Sequence, residues 1–266
     1  MKLFNLNDEV VLITGVNGQL GSEYAKCLLN NGAKKVIGLD LKKSKLLDPL
    51  QDSDRFSFFE VDITQKKSLV DVSKEIEEIA CSPTVLINNA GIDSSPDSSL
   101  ENASRFEDYT EDQWDKVLDV NLKGTFLTCQ VFGGLMAKRK KGSIINISSI
   151  YGMVSPDQSL YEYRRQKGEE FYKPVAYSAS KSGIMNLTKY LAVYWASSSV
   201  RVNTLTLAGV YNNQDDEFLR QYNSRIPLGR MANVDDYNGA IIFLSSPASQ
   251  YMTGSNLIVD GGWTAI

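Results

Sequence analysis

The chain contains no histidine, and its 266 residues include only three cysteines. Without histidine, proton transfer near neutral pH falls to another side chain with a shifted pKa. The same absence, with Cys27, Cys81 and Cys129 far apart inside apolar patterns, argues against a metal site. The thiols are expected to be buried and free, as in a reducing compartment. Nowhere do about 18 apolar residues run together, and Met1 to Asn5 lacks a long apolar segment. No membrane association is therefore expected, and a cytoplasmic location is. An excess of positive charge is also missing: the net charge is −4. The one basic run, Lys138-Arg139-Lys140-Lys141, falls at a predicted helix end, where cations suit the dipole. Nothing in the electrostatics calls for nucleic acid.

What is present is a chain 42% hydrophobic, long enough to bury one large core. Glu9 to Thr14 is a short apolar run of the buried-strand kind. It leads into Gly15-Val16-Asn17-Gly18-Gln19-Leu20-Gly21, then into a helical pattern with Tyr24, Ala25, Leu28 and Leu29 on one face. Strand, glycine turn and helix in that order make a dinucleotide site. The glycines permit close backbone approach, and the helix N-terminus offers N–H groups and a positive dipole end to pyrophosphate. A second strand, from Lys35 to Leu39, ends at Asp40, about 20 residues on, where an acid accepts from adenosine ribose hydroxyls.

Tyr177-Ser178-Ala179-Ser180-Lys181 answers the missing histidine. Tyr177 and Lys181 project from one helix face, and an ammonium beside a phenol favours the phenolate. That spacing is common on helix surfaces, so the pair carries weight through its company.

Strands and helical patterns alternate throughout. Further strands are predicted at Phe56–Val61, Thr84–Asn88, Ser143–Ile147, Val200–Leu205 and Asn256–Val259. Helices are predicted at Lys42–Leu50, Gln65–Ile79, Tyr177–Ala196 and Val234–Leu244. Thr110 to Gln113 reads as a capping box opening a long helix with Trp114, Val117, Leu118, Leu122 and Phe126 inward. This alternation predicts an α/β fold, a doubly wound parallel sheet with helices on both faces, in one domain over residues 1–266.

Thr14-Gly15 through Gly21, Asn88-Asn89-Ala90-Gly91, Asn121, Ser148-Ser149, Tyr177 with Lys181, and Asp260-Gly261-Gly262 together resemble the short-chain dehydrogenase/reductase family, over residues 8–262. The resemblance implies a Rossmann-type sheet of about seven strands, a nicotinamide cofactor and a homotetramer or homodimer. It implies that Tyr177 exchanges the proton on the substrate oxygen, and that Lys181 binds the nicotinamide ribose and lowers the Tyr177 pKa. Ser149 would hold the substrate oxygen, and Asn121 would break helix regularity to hold a water linking Lys181 to solvent. Gly15, Asn17, Gly18, Gln19, Leu20 and Gly21 would line the phosphates. Asp40 and Asp62 with Ile63, and Asn89, Ala90 and Gly91, would line the adenosine side. Val210 and Asn212 would clasp the carboxamide. Asp40 favours NAD over NADP, since it repels a 2′-phosphate, although Lys42 and Lys43 stand nearby.

Four departures from the family pattern stand out. Gln19 occupies a usual glycine, giving a spacing like that of the extended epimerases and dehydratases, whose additional domain has no room here. Leu207-Ala208-Gly209 replaces the usual Pro-Gly, and Asn212 the usual Thr. The connection from Gly91 to Trp114 is long. Ser149 and Tyr177 are much farther apart than is the family habit. The extra segment, about 156–174, holds Tyr161, Tyr163, Arg164, Arg165, Lys167, Phe171, Tyr172 and Lys173. Arginines suit an anionic group and tyrosines a sugar or base, so a polar, anionic or sugar-like substrate is expected. A similar insertion occurs in relatives associated with bacterial surface-glycan or flagellin modification. A solvated flap or subunit contact fits the same segment. Two other functions fit the motifs: an NAD-using epimerase or dehydratase, and a non-catalytic dinucleotide-binding protein.

Overall fold

Short runs of β-branched residues, apolar on both sides, must be covered on two faces, and this decides the architecture. In the computed structural model, which describes residues 3–79, 82–93 and 105–266, seven strands form one sheet, with the buried β-branched runs at its centre. The strands are β1 (Val10–Thr14), β2 (Lys35–Asp40), β3 (Phe56–Glu60), β4 (Val85–Asn88), β5 (Gly142–Ser149), β6 (Val200–Leu207) and β7 (Asn256–Val259). The order is β3-β2-β1-β4-β5-β6-β7, and every pairing is parallel. Cys81, and residues 94–104 of the long connection after Gly91, lie outside the described residues.

Period-two alternation divides the core. Val11 and Ile13 of β1 join one apolar layer with Tyr24 and Leu28 of α1 (Gln19–Asn30) and Ile241 and Leu244 of α9 (Asn238–Ser245). Val10 and Leu12 join the other, with Leu69, Val72 and Ile76 of α2 (Lys66–Glu78). Each such side chain, fully buried, contributes about 1.5–3 kcal/mol. Cys27 and Cys129 are buried free thiols, as expected.

The predicted capping box is present. The Thr110 hydroxyl accepts from Gln113 N, and Gln113 returns a bond to Thr110 N, opening α3 (Glu111–Leu118). The run continues through a π-helical turn (Asp119–Gly124), α4 (Thr125–Thr128), a second π turn (Cys129–Gly133) and α5 (Gly134–Arg139). Trp114 and Phe126 do not point inward: they are 38% and 44% exposed. Charged Glu111, Asp112, Asp115 and Lys116 keep α3 at the surface, and the π turn adds a residue that rotates Phe126 off the buried stripe. Two predicted helices also differ. Residues 45–50 form only a 3-10 turn, with Pro49 inside it. Val234–Tyr237 is 3-10 before α9 (Asn238–Ser245) takes over.

The insertion is folded. It contains a 3-10 turn (Gln158–Tyr161) and α6 (Glu162–Gln166), and leads into α7 (Val175–Tyr194). Leu160, Tyr161 and Phe171 pack into a cluster with Phe218 and Tyr222 of α8 (Asp216–Asn223), where Tyr161 lies 4.8 Å from Phe171 and 5.8 Å from Phe218, centroid to centroid. Because the flap shares this buried cluster, Phe171→Ala is expected to lower global stability by about 3–5 kcal/mol. Equilibrium urea unfolding checks this; an unchanged midpoint would mean that the flap opens independently.

Candidate active site

In the sheet order, β1 is followed in sequence by β2 and β3 on one side, while β4 lies on the other. A cleft opens where the chain reverses direction in this way, at the carboxyl ends of β1 and β4. The Thr14 hydroxyl bridges the two ends, accepting from Asn89 N and Ala90 N, both at 3.1 Å. Asn89 Nδ2 donates back to the Thr14 and Gly15 carbonyls at 3.2 and 3.1 Å. Gly15 has φ +67°, and a Cβ there would lie 2.7 Å from Ala90 Cα. A Cβ on Gly21 would collide with the Gly15 carbonyl.

The cleft, about 740 Å³, is continuous from Asp40, Asp62 and Ile63 past the glycine turn to Ser149, Tyr177 and Lys181. Gly15, Asn17, Gly18, Gln19, Leu20, Asn89, Ala90, Gly91, Val210 and Asn212 line it too. Gly21 does not; it acts by letting α1 approach the turn. Asp40 is fixed by Asn17 N and Leu41 N, each at 2.8 Å, and Asn17 Oδ1 accepts from Ser44 N. Asp62 accepts from the Thr64 backbone and hydroxyl at 2.9 and 2.8 Å.

These residues fit a dinucleotide. Helix α1 starts at Gly18 with no side-chain cap and no acid in its first turn, so its positive end is uncompensated. Buried Asn17 Nδ2 has no protein partner. Gln19, which departs from the family pattern, reaches across the cleft and donates to the Tyr211 carbonyl at 2.7 Å. Gln214 bonds the same loop at Val210 O and Asn212 N.

At the other end, α7 brings Tyr177 and Lys181 in at i and i+4. Lys181 Nζ lies 5.7 Å from the Tyr177 ring centroid and donates to the Ile147 carbonyl at 3.0 Å. Ser148 Oγ donates to the Lys181 carbonyl, tying α7 to β5, and Ser149 Oγ accepts from Tyr151 N. Asn121 falls in the first π turn, the expected break in helix regularity. Its Oδ1 accepts from Ile92 N, and its Nδ2 donates to Ile92 O and Ser180 Oγ.

Burial governs the proton affinities here. It pushes the Tyr177 phenol well above its usual range, as does nearby Asp93, while the Ser149 hydroxyl counteracts them. The expected depression of Tyr177 by Lys181 is therefore not what the polypeptide's own groups produce. Lys181 is itself drawn down to about 8 by burial, which Asp93 opposes.

Within the flap, Arg164 pairs with Glu169 at 2.6 Å and Arg165 with Glu162 at 2.7 Å. Arg165 also bonds the Gln158 and Phe171 carbonyls. Neither arginine lines the cleft; Tyr161 and Lys173 do. Sequence reasoning missed Asp93, Tyr151, Phe218 and Tyr222, which also line it. Tyr222 OH accepts from Gly209 N at 2.7 Å. Helix α8 was legible in Asp215, whose carboxylate caps Phe218 N, with Phe218 and Tyr222 at i and i+4.

A family model described as enoyl-(acyl carrier protein) reductase matches residues 15–264. The chain belongs to the short-chain dehydrogenase/reductase family. It is an oxidoreductase of that family, with a nicotinamide dinucleotide cofactor. It is 32% identical to an NAD-dependent glycerol dehydrogenase of Listeria innocua, over 99% of this chain and 96% of that protein. A short-chain dehydrogenase of Leptospira borgpetersenii, solved with bound NAD+, superposes with a TM-score of 0.86 at 37% identity, covering 98% of this chain and 94% of that one. A Burkholderia cenocepacia gluconate 5-dehydrogenase in complex with NADP and tartrate gives 0.85 at 26%, covering 100% and 98%. Among the described residues, no helix is long and apolar enough to cross a membrane.

The Lys181 shift has a measurable consequence for stability. Between about pH 8 and its ordinary value of 10.5, the folded lysine is neutral while the unfolded one still binds a proton. Stability conferred by this group therefore rises with pH across that window, and below it the cost of the buried charge is fully present. From pH 8 to 9.5 the rise is expected to be about 2 kcal/mol for the native chain relative to Lys181→Met. Parallel urea unfolding of the two proteins checks this.

Proposed function

We propose that the chain is an NAD-preferring dehydrogenase of a hydroxylated small molecule, a polyol or sugar derivative, in which Ser149, Tyr177 and Lys181 handle the reacting oxygen. The observation that carries this is the continuity of one cleft. Its far end presents the uncapped start of α1 and Asp40, and its near end Ser149, Tyr177 and Lys181. A nicotinamide dinucleotide held by the glycine turn, Asp40 and Lys181 would supply or accept the hydride. Ser149 Oγ and Tyr177 Oη hold the substrate oxygen, and its proton passes to or from Tyr177 Oη as the charge on that oxygen changes. Lys181, still protonated at neutrality, would bind the ribose hydroxyls of a nicotinamide dinucleotide. The π turn at Asn121 supports a route for the proton to solvent.

Asp40 supports NAD, since its carboxylate is locked at the end of β2 and repels a 2′-phosphate. The glycerol and gluconate dehydrogenases among the relatives support a polyhydroxylated substrate. The single sheet supports one catalytic unit over residues 1–266, with the flap as part of it. Exposed Tyr190, Val193 and Tyr194 on α7, with Trp114 and Phe126, support a homodimer or homotetramer. The buried free thiols support a cytoplasmic location.

Tyr177→Phe is expected to lose about 10²–10⁴ in kcat with dinucleotide affinity retained, because only the phenolic group is removed. Near-normal turnover of glycerol or gluconate would refute the proton role. Titration calorimetry with both cofactors is expected to show tighter NAD binding in the native protein and a reduced preference in Asp40→Ala.

A further inference from the structure

We propose that Asp93 and Lys173 form a hydroxyl-reading subsite beside Tyr177, in which Asp93 accepts a hydrogen bond from a substrate hydroxyl on the carbon next to the one oxidised and Lys173 holds that carboxylate in place. The proposal rests on the dehydrogenase reading above and names the feature of the substrate that the site selects.

Lys173 Nζ lies 2.6 Å from Asp93 Oδ2 and 5.5 Å from the Tyr177 ring centroid. The lysine side chain is 4% exposed, whereas that of Asp93 is 34% exposed and lines the cleft. The acid therefore presents itself to a ligand and the base stands behind it. Asp93 lines the same cleft as Tyr151, Tyr161, Tyr177 and Lys181, and its charge raises the proton affinity of all four. It thus shares the reacting end of the cleft with the proton-transfer residues.

A purely structural tether does not account for the pair. The Lys173 backbone is already clamped by Gln158, whose Oε1 accepts from Lys173 N at 2.9 Å and whose Nε2 donates to Lys173 O at 3.1 Å. The flap is further anchored by Tyr161 and Phe171 in the aromatic cluster. A buried ion pair adds little net stability beyond such contacts, because desolvation offsets its attraction. A carboxylate at this position repels an anionic group and accepts strongly from a hydroxyl. Arg164 and Arg165 are engaged inside the flap, which further favours hydroxyl over carboxylate at this spot.

The test compares matched alcohols, propane-1,2-diol and glycerol against propan-2-ol and propan-1-ol, by initial rates of NAD and NADP reduction. The native enzyme, Asp93→Asn, Asp93→Glu and Lys173→Met are assayed, with thermal unfolding and NAD affinity measured alongside. The native enzyme is expected to prefer the diols. Asp93→Asn should lower kcat/KM on the diols at least about tenfold more than on the mono-ols, the scale of a lost hydrogen bond to a charged group, whatever loss its effect on Tyr177 and Lys181 brings to both classes. Lys173→Met should erode the same preference. Equal losses on both classes, or a preference that survives in Asp93→Asn, would overturn the subsite. So would native turnover without any diol preference. If the native enzyme binds dinucleotide yet oxidises no alcohol with either cofactor, the dehydrogenase reading fails and the subsite with it. Should Asp93→Asn not fold, Asp93→Glu decides. It keeps the pair but displaces the oxygens, so an unchanged diol preference in it would overturn the proposal.

Discussion

One carboxamide, buried in a turn that is not α-helical, ties the Tyr177 end of the cleft together. Asn121 bonds both the N–H and the carbonyl of Ile92 and reaches Ser180 on α7. Three segments distant in sequence are thereby held at one point: the loop leaving β4, the π turn and α7. An unsatisfied amide here would cost about 1–3 kcal/mol, so the arrangement has little freedom to slip. Gly91 lies against the same point. A Cβ there would come within 3.3 Å of both Asn121 Oδ1 and Lys181 Nζ.

A second buried polar chain runs behind this one. Thr128 Oγ1 donates to Asn88 Oδ1, Asn88 Nδ2 to Asn146 Oδ1, and Asn146 Nδ2 to Thr188 Oγ1, which also accepts from Thr204. It links α4, β4, β5, α7 and β6 in register. An apolar core alone tolerates small sliding, whereas a fully bonded chain of amides and hydroxyls has one best alignment. Tyr177 and Lys181 are therefore carried on a helix whose position is fixed by directional contacts as well as by packing.

Much of this was legible in the residues themselves. The β1 run and its glycine turn were readable because a buried strand, a left-handed Gly15 and a helix start each leave a local signal. The position of Asp40 at the end of β2 was readable because it depends on strand length. The illegible parts depend on partners far away in sequence. Gln19 looks like a departure until Tyr211 O is seen opposite it, and Arg164 and Arg165 look like anion binders until Glu169 and Glu162 are seen to occupy them. Trp114 misled because helical periodicity gives a face but not what covers it. Lys181 was expected to lower the Tyr177 pKa; the burial that instead raises it is a property of the whole fold.

The aromatic cluster joining Tyr161 and Phe171 to Phe218 and Tyr222 has a consequence for how such proteins diversify. The flap and α8 are interrupted by α7 and β6 in the chain, yet they share one hydrophobic interior. Neither wall can be exchanged without leaving holes or clashes in the other. Grafting the flap alone onto a relative should therefore yield a poorly folded chimera, whereas moving both segments together transfers a self-consistent unit. The two non-adjacent segments therefore have to be exchanged as a pair, with the sheet beneath them left untouched.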